Sequence, residues 1–206
     1  MSAERPQQFI HKGLIVPWVA RWTAESIERH PLKLMLNPST KSLHLQYEDE
    51  RPGDRIEGVL WMRSGDARGE GEPEWKEVHS RRQRACMLDP RCQICGMAIE
   101  GGVIPWLLPK AVGNAKTRHG ISTMVPPVCP DCIPVALASC PFLARNEVQL
   151  FEVRHYRPWA YFADYVTPQG RHLQGEIPFD AESLVHIVAR QIIVELLDMR
   201  CRPLPI

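Results

Sequence analysis

The chain has 206 residues, of which 44% are hydrophobic and 24% are charged, a composition that excludes disordered and fibrous proteins and is typical of globular ones. Its 25 Lys and Arg residues are balanced by 24 Asp and Glu residues, and the net charge of +1 excludes a field over the whole molecule that would draw it to nucleic acid or anionic lipid. The first residues lack the apolar stretch of a secretory signal, and no run is long enough to span a bilayer, so we expect a cytoplasmic protein without a membrane partner.

Residues 1–75 are predicted to form a β-rich segment. Apolar residues alternate along residues 43–47, and a compact apolar run at residues 58–62 lies between turn-forming residues, as is typical of strands. Residues 23–30 favour a short helix, because a threonine can cap its start and a proline would end it. The glycine-rich, charged residues 64–73 predict an exposed loop or linker.

Residues 76–145 are predicted to form a central zinc-binding unit. The composition of residues 75–87 favours a basic helix that leads into a first pair of cysteines. Small residues at 133–140 favour a second helix that leaves a second pair. The two helices would flank the metal site.

Residues 146–206 are predicted to form a β-hairpin and a long amphipathic helix. Strands are expected at residues 148–155 and 159–166. Apolar residues recur at i, i+4 in two adjacent stripes along residues 181–199, and Asp180 can cap a helix there. The apolar face is wide enough for burial in the core, or for a homodimer through this helix. The chain as a whole is therefore predicted to have an α+β fold.

Two cysteine pairs share the Cys-x2-Cys spacing of zinc ligands, namely Cys92, Cys95, Cys129 and Cys132. Four thiolates close a tetrahedral Zn²⁺ site without leaving a position for water, so the predicted zinc is structural. Gly96 suits the turn of a zinc knuckle, because such turns often require a positive φ. Seven cysteines in a reducing compartment favour metal ligation over a disulfide framework, with redox-active dithiols or inert buried cysteines as the alternatives.

The order of elements around these cysteines resembles the ββα-metal, treble-clef core of the HNH endonucleases. The resemblance covers residues 80–140. It rests on Cys92-Gln93-Ile94-Cys95-Gly96, a hydrophobic strand that ends in a proline, a loop, and a second Cys-x2-Cys pair that opens a helix. It implies a treble-clef fold around a structural zinc.

The catalytic strand departs from the pattern of that family. The strand is Ile104-Pro105-Trp106-Leu107-Leu108-Pro109, in which Trp106 stands where the family has its general base, a histidine, and Pro105 stands where the family has a metal ligand. Indole has no basic nitrogen and proline offers no ligand, so nuclease activity is not expected. His119, in the following loop, is the remaining candidate for the base of a residual HNH-type nuclease.

A second resemblance covers residues 55–145. Gly58-Val59-Leu60-Trp61, Arg81-Arg82-Gln83-Arg84-Ala85 and Cys140-Pro141-Phe142-Leu143, together with the two cysteine pairs, are similar to a group of actinobacterial zinc-finger proteins without an established activity. This likeness implies relationship and no particular function.

A basic run beside the first cysteine pair favours contact with phosphate groups. Arginine can bridge phosphates with two hydrogen bonds, and several such contacts would make binding strongly dependent on salt. The candidate nucleic-acid-binding residues are Arg81, Arg82, Arg84, Arg91, Lys116 and Arg118. On a helix, positions 81 and 84 share a face while position 82 points aside. The alternative is a solvated helix face that nearby carboxylates neutralise.

Three cysteines lie outside the predicted metal site, namely Cys86, Cys140 and Cys201. Cys140 is close enough to the second pair to act as an alternative ligand or a nucleophile, or to be a small packed residue. With His119, it is a candidate for catalysis. The sequence therefore predicts a zinc-stabilised binding module associated with nucleic acid. The alternatives are an enzyme of small-molecule metabolism with a pocket near the zinc core, and a dimeric interaction module.

Overall fold

The computed structural model describes residues 6–26, 31–36, 38, 41–110, 120–140, 143, 145–166 and 171–204, and strands dominate them. The strands are β1 (Phe9–His11), β2 (Leu14–Val16), β3 (Ala20–Trp22), β4 (Leu32–Leu36), β5 (Leu43–Tyr47), β6 (Arg55–Ile56), β7 (Val59–Trp61), β8 (Pro73–Val78), β9 (Ile104–Pro109), β10 (Ile121–Thr123), β11 (Val148–Val166), β12 (His172–Pro178) and β13 (Ile187–Arg202). The α-helices with described bounds are α1 (Ser80–Leu88) and α2 (Ile133–Ser139), and 3-10 turns span Thr23–Glu25, Pro130–Cys132 and Glu182–His186.

A seven-stranded sheet is built on β11 and β13, which pair antiparallel from Tyr165 opposite Ile187 to Leu150 opposite Arg202. On the other side of β11, β9 pairs near its start and β12 near its end. On the other side of β13, β7 pairs in parallel and β10 antiparallel, and β6 pairs with β7. Three two-stranded sheets lie outside this one: β1 with β2, β3 with β8, and β4 with β5. The two longest strands therefore form the middle of the main sheet.

The predicted C-terminal helix is wrong, because residues 181–199 contain a 3-10 turn followed by β13. The i, i+4 stripes exist in the sequence, but apolar residues fill ten of the 16 positions of β13, mostly in short continuous runs, and Ile187, Ile192 and Val194 are β-branched. A strand that is buried on both faces has this continuous apolar pattern, which periodicity alone does not separate from a buried helix. The described residues are therefore sheet-rich. They do not form the predicted α+β fold with a long C-terminal amphipathic helix.

The residues expected at a homodimer interface lie inside the chain's own sheet. Ile187, Ile192 and Val194 are buried where β13 packs between its neighbouring strands and α1. The two strands predicted before this region are one strand, β11, whose register with β13 shifts between His155 and Tyr156 and again between Pro158 and Ala160.

Two of the other predicted elements are confirmed, and two differ from the structure or are described only in part. The β-rich N-terminal segment is confirmed by β1 to β7, and the helix predicted at residues 133–140 is confirmed as α2. The basic helix predicted at residues 75–87 begins only at Ser80, because the preceding residues form β8. Of the short helix predicted at residues 23–30, the structure describes a 3-10 turn at Thr23–Glu25, and residues 27–30 lie outside the described residues.

The main core lies between α1, β9 and the central strands. Met87, Trp106 and Leu196 are fully buried there, and Ile94 and Ile133 extend the same cluster to the two cysteine pairs. Packing therefore holds both cysteine pairs against the sheet.

Candidate functional site

The first cysteine pair lies in a tight turn. The N–H of Cys92 donates to the carbonyl of Met97 at 2.8 Å, and the N–H of Gly96 donates to the carbonyl of Cys92 at 2.8 Å. Gly96 has a φ of +74°, and a Cβ there would lie 2.8 Å from the Trp18 ring. Glycine is therefore required both for the turn and for the close approach of the N-terminal segment.

The second cysteine pair opens α2. The N–H of Cys132 donates to the carbonyl of Cys129 at 3.0 Å, and α2 begins at the next residue. Pro130 and Pro134 lie in the first turns, where the N–H that proline lacks would have no helical acceptor. The chain thus presents two thiols from the start of a helix.

The structure brings the four predicted ligands together. Their sulfurs lie within 4.8 Å of one another, and Cys95 Sγ is 3.8 Å from Cys129 Sγ. Neighbouring sulfurs in a tetrahedral site with Zn–S bonds of about 2.3 Å are about 3.8 Å apart, so the dimensions fit zinc. Cys92, Cys95 and Cys132 are buried, and Cys129 is half-buried. The cluster can therefore hold a metal ion with four protein ligands and no bound water.

The thiols of the cluster differ in acidity. A hydrogen bond with Cys92 lowers the pKa of Cys95 to about 5, and the same bond raises the pKa of Cys92. Burial raises the pKa of Cys132 to about 12. A divalent cation bound by the four sulfurs would favour loss of the thiol protons.

The two residues that the sequence resemblance aligned with a catalytic base and a metal ligand are part of the core. Trp106 is fully buried in β9, its Nε1 donates to the carbonyl of Val125 at 2.9 Å, and its ring meets Tyr156 edge-on with centroids 5.3 Å apart. The carbonyl of Pro105 accepts a hydrogen bond from the N–H of Val128 at 3.0 Å. The structure gives these two residues packing contacts and backbone support.

The other cysteines do not join the cluster. Cys140 is half-buried at the end of α2, where its N–H donates to the carbonyl of Ala136 at 3.0 Å. Cys86 is fully buried, and burial raises its pKa to about 12, while Cys201 is exposed on β13. Within the described ranges, the four-cysteine cluster is the one group of three or more His, Cys, Asp or Glu side chains placed to share a metal ion. Three predicted residues lie outside those ranges: Lys116, Arg118 and His119.

Arg82, the middle arginine of the basic run, points into the fold. It is 7% exposed and donates to both carboxylate oxygens of Glu25 at 2.6 Å, and to the carbonyl of Ala20 at 2.7 Å. Burial opposes the charge of Glu25, but hydrogen bonds from Arg82 and from the N–H of Trp22 outweigh it, so the pKa of Glu25 lies below its usual value. This ion pair fastens α1 to the N-terminal segment.

Arg81 and Arg84 lie apart from Arg82, as helical spacing predicts, and both line a cavity of about 360 Å³ at the start of α1. The rest of the wall comes from the first residue of α1, from residues 51–54, and from residues 61–64. We call this site the arginine cavity. Arg91 does not line it and pairs with Asp89 at 2.8 Å.

Two of the four arginines of this wall are neutralised within the protein. Arg63 pairs with Asp54 at 2.6 Å and with Asp49 at 2.8 Å, and Arg51 pairs with Asp49 at 2.7 Å. In the part of the chain that the structure describes, no ion pair joins the other two arginines to a carboxylate. The positive charge available to a ligand therefore comes from the arginines of α1.

Arg84 is held in place by an aromatic ring. Its guanidinium group lies over Trp61, 4.3 Å from the ring centroid. Burial and the nearby charge of Arg81 lower the pKa of Arg84. An anion beside these two side chains would relieve their mutual repulsion.

Three residues of the wall have a buried hydrogen-bond donor without a partner. Trp61 Nε1, Ser64 Oγ and Ser80 Oγ each expose less than 1 Å² and have no hydrogen-bond partner among the described residues. A buried polar group left without a partner costs about 1–3 kcal/mol. Because each atom exposes less than 1 Å², all three lie behind the accessible surface of the cavity wall.

Sequence reasoning found the arginines of the cavity and missed its other polar residues. Trp61 was assigned to a strand, and Ser64 to a linker. The basic run gave no signal for them, because the cap of α1 is His79, whose Nδ1 accepts from the N–H of Arg82 at 3.4 Å, and not Ser80.

Comparison of the chain with family models, with curated proteins and with solved structures found no match. Across the described ranges, no helix combines the length and the apolar character needed to cross a membrane. Among the described residues, the cysteine cluster and the arginine cavity are the two candidate sites.

Proposed function

We propose that the chain is a zinc-stabilised binding module that holds nucleic acid through phosphate contacts in the arginine cavity. Arg81 and Arg84 make these contacts, and zinc in the cysteine cluster stabilises the surrounding fold. The observation that carries the proposal is the presence of two guanidinium groups on one cavity wall without a carboxylate partner among the described residues.

Phosphate suits this wall better than a neutral or cationic group does. Guanidinium groups match phosphate oxygens with paired hydrogen bonds. Ser80 and Arg81 are the first residues of α1, and the N–H groups of a first helical turn have no acceptor within the helix. The positive end of the helix dipole adds to the attraction for an anion.

The cysteine cluster supports the cavity through the backbone. The N–H groups of Trp18 and Val19 donate to the carbonyls of Ile94 and Gln93 in the knuckle, at 3.0 and 3.1 Å. The carbonyl of Val19 in turn accepts from the N–H of His79 at 2.8 Å, directly before α1. A metal ion that fixes the knuckle therefore also fixes the start of α1. Zinc is the metal proposed, because four thiolates in a closed tetrahedral set suit it.

The test is a fluorescence titration of short duplex and single-stranded oligonucleotides at several salt concentrations. The double variant Arg81→Ala/Arg84→Ala should weaken binding to all sequences alike and flatten the salt dependence for duplex DNA by about two units, because each lost phosphate contact releases about one counterion fewer. The matched control is Arg154→Ala/Arg200→Ala, which removes two exposed charges elsewhere on the chain and should leave the salt dependence nearly unchanged.

Two results would contradict the proposal. One is the absence of oligonucleotide binding by the wild type at low salt. The other is an equal loss of binding in the control variant, which would show that general charge, and not the arginine cavity, determines the affinity.

A further inference from the structure

We propose further that the arginine cavity selects a phosphate monoester, the group at the end of a nucleic-acid strand or on a mononucleotide, over the diester of a strand interior. This inference rests on the proposed function and specifies the chemical group that its site takes.

The charge of the cavity matches a monoester. The arginines of residues 51–63 are balanced by carboxylates. Among the described residues no carboxylate pairs with Arg81 or Arg84, so these two contribute one positive charge each. A phosphate monoester carries about −1.5 to −2 at pH 7, whereas each diester of a strand carries one negative charge. A single monoester therefore neutralises both arginines, whereas a strand interior needs two diester groups to do so.

The hydrogen-bond donors of the two arginines also match a monoester. Each guanidinium group carries five N–H donors. A monoester presents three terminal oxygens as strong acceptors, whereas a diester has two unbridged oxygens. The extra oxygen gives the second guanidinium group an acceptor of its own.

The size and rigidity of the cavity favour one phosphorylated group over a length of strand. Its volume of about 360 Å³ lies at the low end of the range for small-ligand sites, about 300–1,000 Å³. The guanidinium group of Arg84 is already placed over the Trp61 ring, and Ser80 is 2% exposed at the start of α1. A site that is ordered before binding loses less conformational entropy when the ligand arrives.

The experiment compares probes that differ in one phosphate. The probes are a short single-stranded oligonucleotide with a 5′-phosphate, the same strand with a 3′-phosphate, the same strand with hydroxyl ends, and a nucleoside 5′-monophosphate beside its nucleoside. We expect the wild type to bind the strands with a terminal phosphate at least about tenfold more tightly than the hydroxyl strand, a difference of about 1.4 kcal/mol. The monophosphate should bind, and the nucleoside should not.

Variants distinguish binding in the arginine cavity from non-specific attraction between charges. Arg81→Ala/Arg84→Ala should remove the preference for a terminal phosphate, whereas Arg154→Ala/Arg200→Ala should keep it. The conservative Arg84→Lys keeps the charge but loses the planar contact with Trp61, so it should keep only part of the preference.

The possible results distinguish this inference from the proposed function. Equal affinity for the phosphorylated and hydroxyl strands would overturn the monoester inference and leave the proposed function standing. Binding of the monophosphate without binding of any strand would support the inference and overturn the nucleic-acid proposal. Failure to bind any probe would overturn both.

Discussion

The arginines of α1 have different roles, because one stabilises the fold and two line the proposed binding site. Arg82 is committed to buried Glu25, whereas Arg81 and Arg84 face the arginine cavity. The division follows from helical spacing, which places positions 81 and 84 on one face and position 82 on another. The identity of the partner does not follow from spacing, because Glu25 lies far away in the sequence.

Neighbouring arginines should therefore respond very differently to the same substitution. We expect Arg82→Ala to lower the free energy of unfolding by about 3–5 kcal/mol, because it leaves the Glu25 carboxylate buried without its cation. Arg81→Ala is the matched control, and it should change the free energy of unfolding by no more than about 0.5 kcal/mol, since this side chain is exposed. Urea unfolding at a fixed zinc concentration measures both. Similar losses in the two variants would contradict the assignment of Arg82 to the fold.

Among the elements, β13 shows that a local sequence pattern does not always distinguish a strand from a helix. Cys-x2-Cys spacing predicted the cysteine cluster, because the two cysteines of each pair are close enough in the sequence to define a local turn. A run of small residues predicted α2. The run from Ile187 to Leu197 satisfied a helical stripe and a buried strand equally well. The decision depended on neighbouring strands contributed by distant parts of the chain, which no local pattern contains.

A side chain of α1 completes the hydrogen bonding of β13. The strands β7 and β10 pair with β13 at residues 188–189 and 194–196, and Gln83 lies between them. Its side-chain oxygen accepts from the N–H of Ile192 at 2.9 Å, and its Nε2 donates to the carbonyls of Ile192 at 2.8 Å and Met124 at 3.0 Å. The amide thus takes the place of a strand's peptide group where the flanking strands leave a gap.

Loss of this amide should destabilise the sheet locally and globally. In Gln83→Leu, the N–H and carbonyl of Ile192 lose their side-chain partner at a fully buried position, which should cost at least about 2 kcal/mol at about 1–3 kcal/mol per unsatisfied group. Hydrogen exchange of the Ile192 amide should accelerate in parallel. Gln149→Leu, at a half-buried position of β11, is the control and should have a small effect. Unchanged protection of the Ile192 amide would show that the gap is closed in another way.

At the scale of the whole molecule, the cysteine cluster joins segments that are distant in the sequence. The knuckle binds residues 18–19 through two backbone hydrogen bonds, and the N–H of Gln93 donates to the carbonyl of Pro127 at 2.9 Å. The second cysteine pair begins α2, whose Ile133 is buried in the main core. The cysteine cluster is therefore a junction between the N-terminal segment, the knuckle and the sheet.

Removal of one ligand should release the metal and loosen this junction. We expect one equivalent of zinc per wild-type chain and less than half an equivalent in Cys132→Ser, since metal-binding free energies at such sites are on the order of 10 kcal/mol and depend on the full ligand set. Cys140→Ser should keep the zinc, because Cys140 lies outside the cluster. Metal analysis gives the stoichiometry, and hydrogen exchange at residues 18–19 reports the loosening. A folded wild type without zinc would contradict the assignment.

The position of β13 also sets the order in which a newly made chain can fold. This strand follows all the other described strands in the sequence, yet it lies in the middle of the main sheet. Until it leaves the ribosome, β11, β7 and β10 have no common partner, and their unpaired edges are open to association with other chains. The cysteine cluster closes within residues 92–132, so metal can be captured during synthesis while the sheet must wait for its last strand. Early metal binding would therefore order the apolar centre of the chain before β13 is available, when unpaired strands favour aggregation over folding.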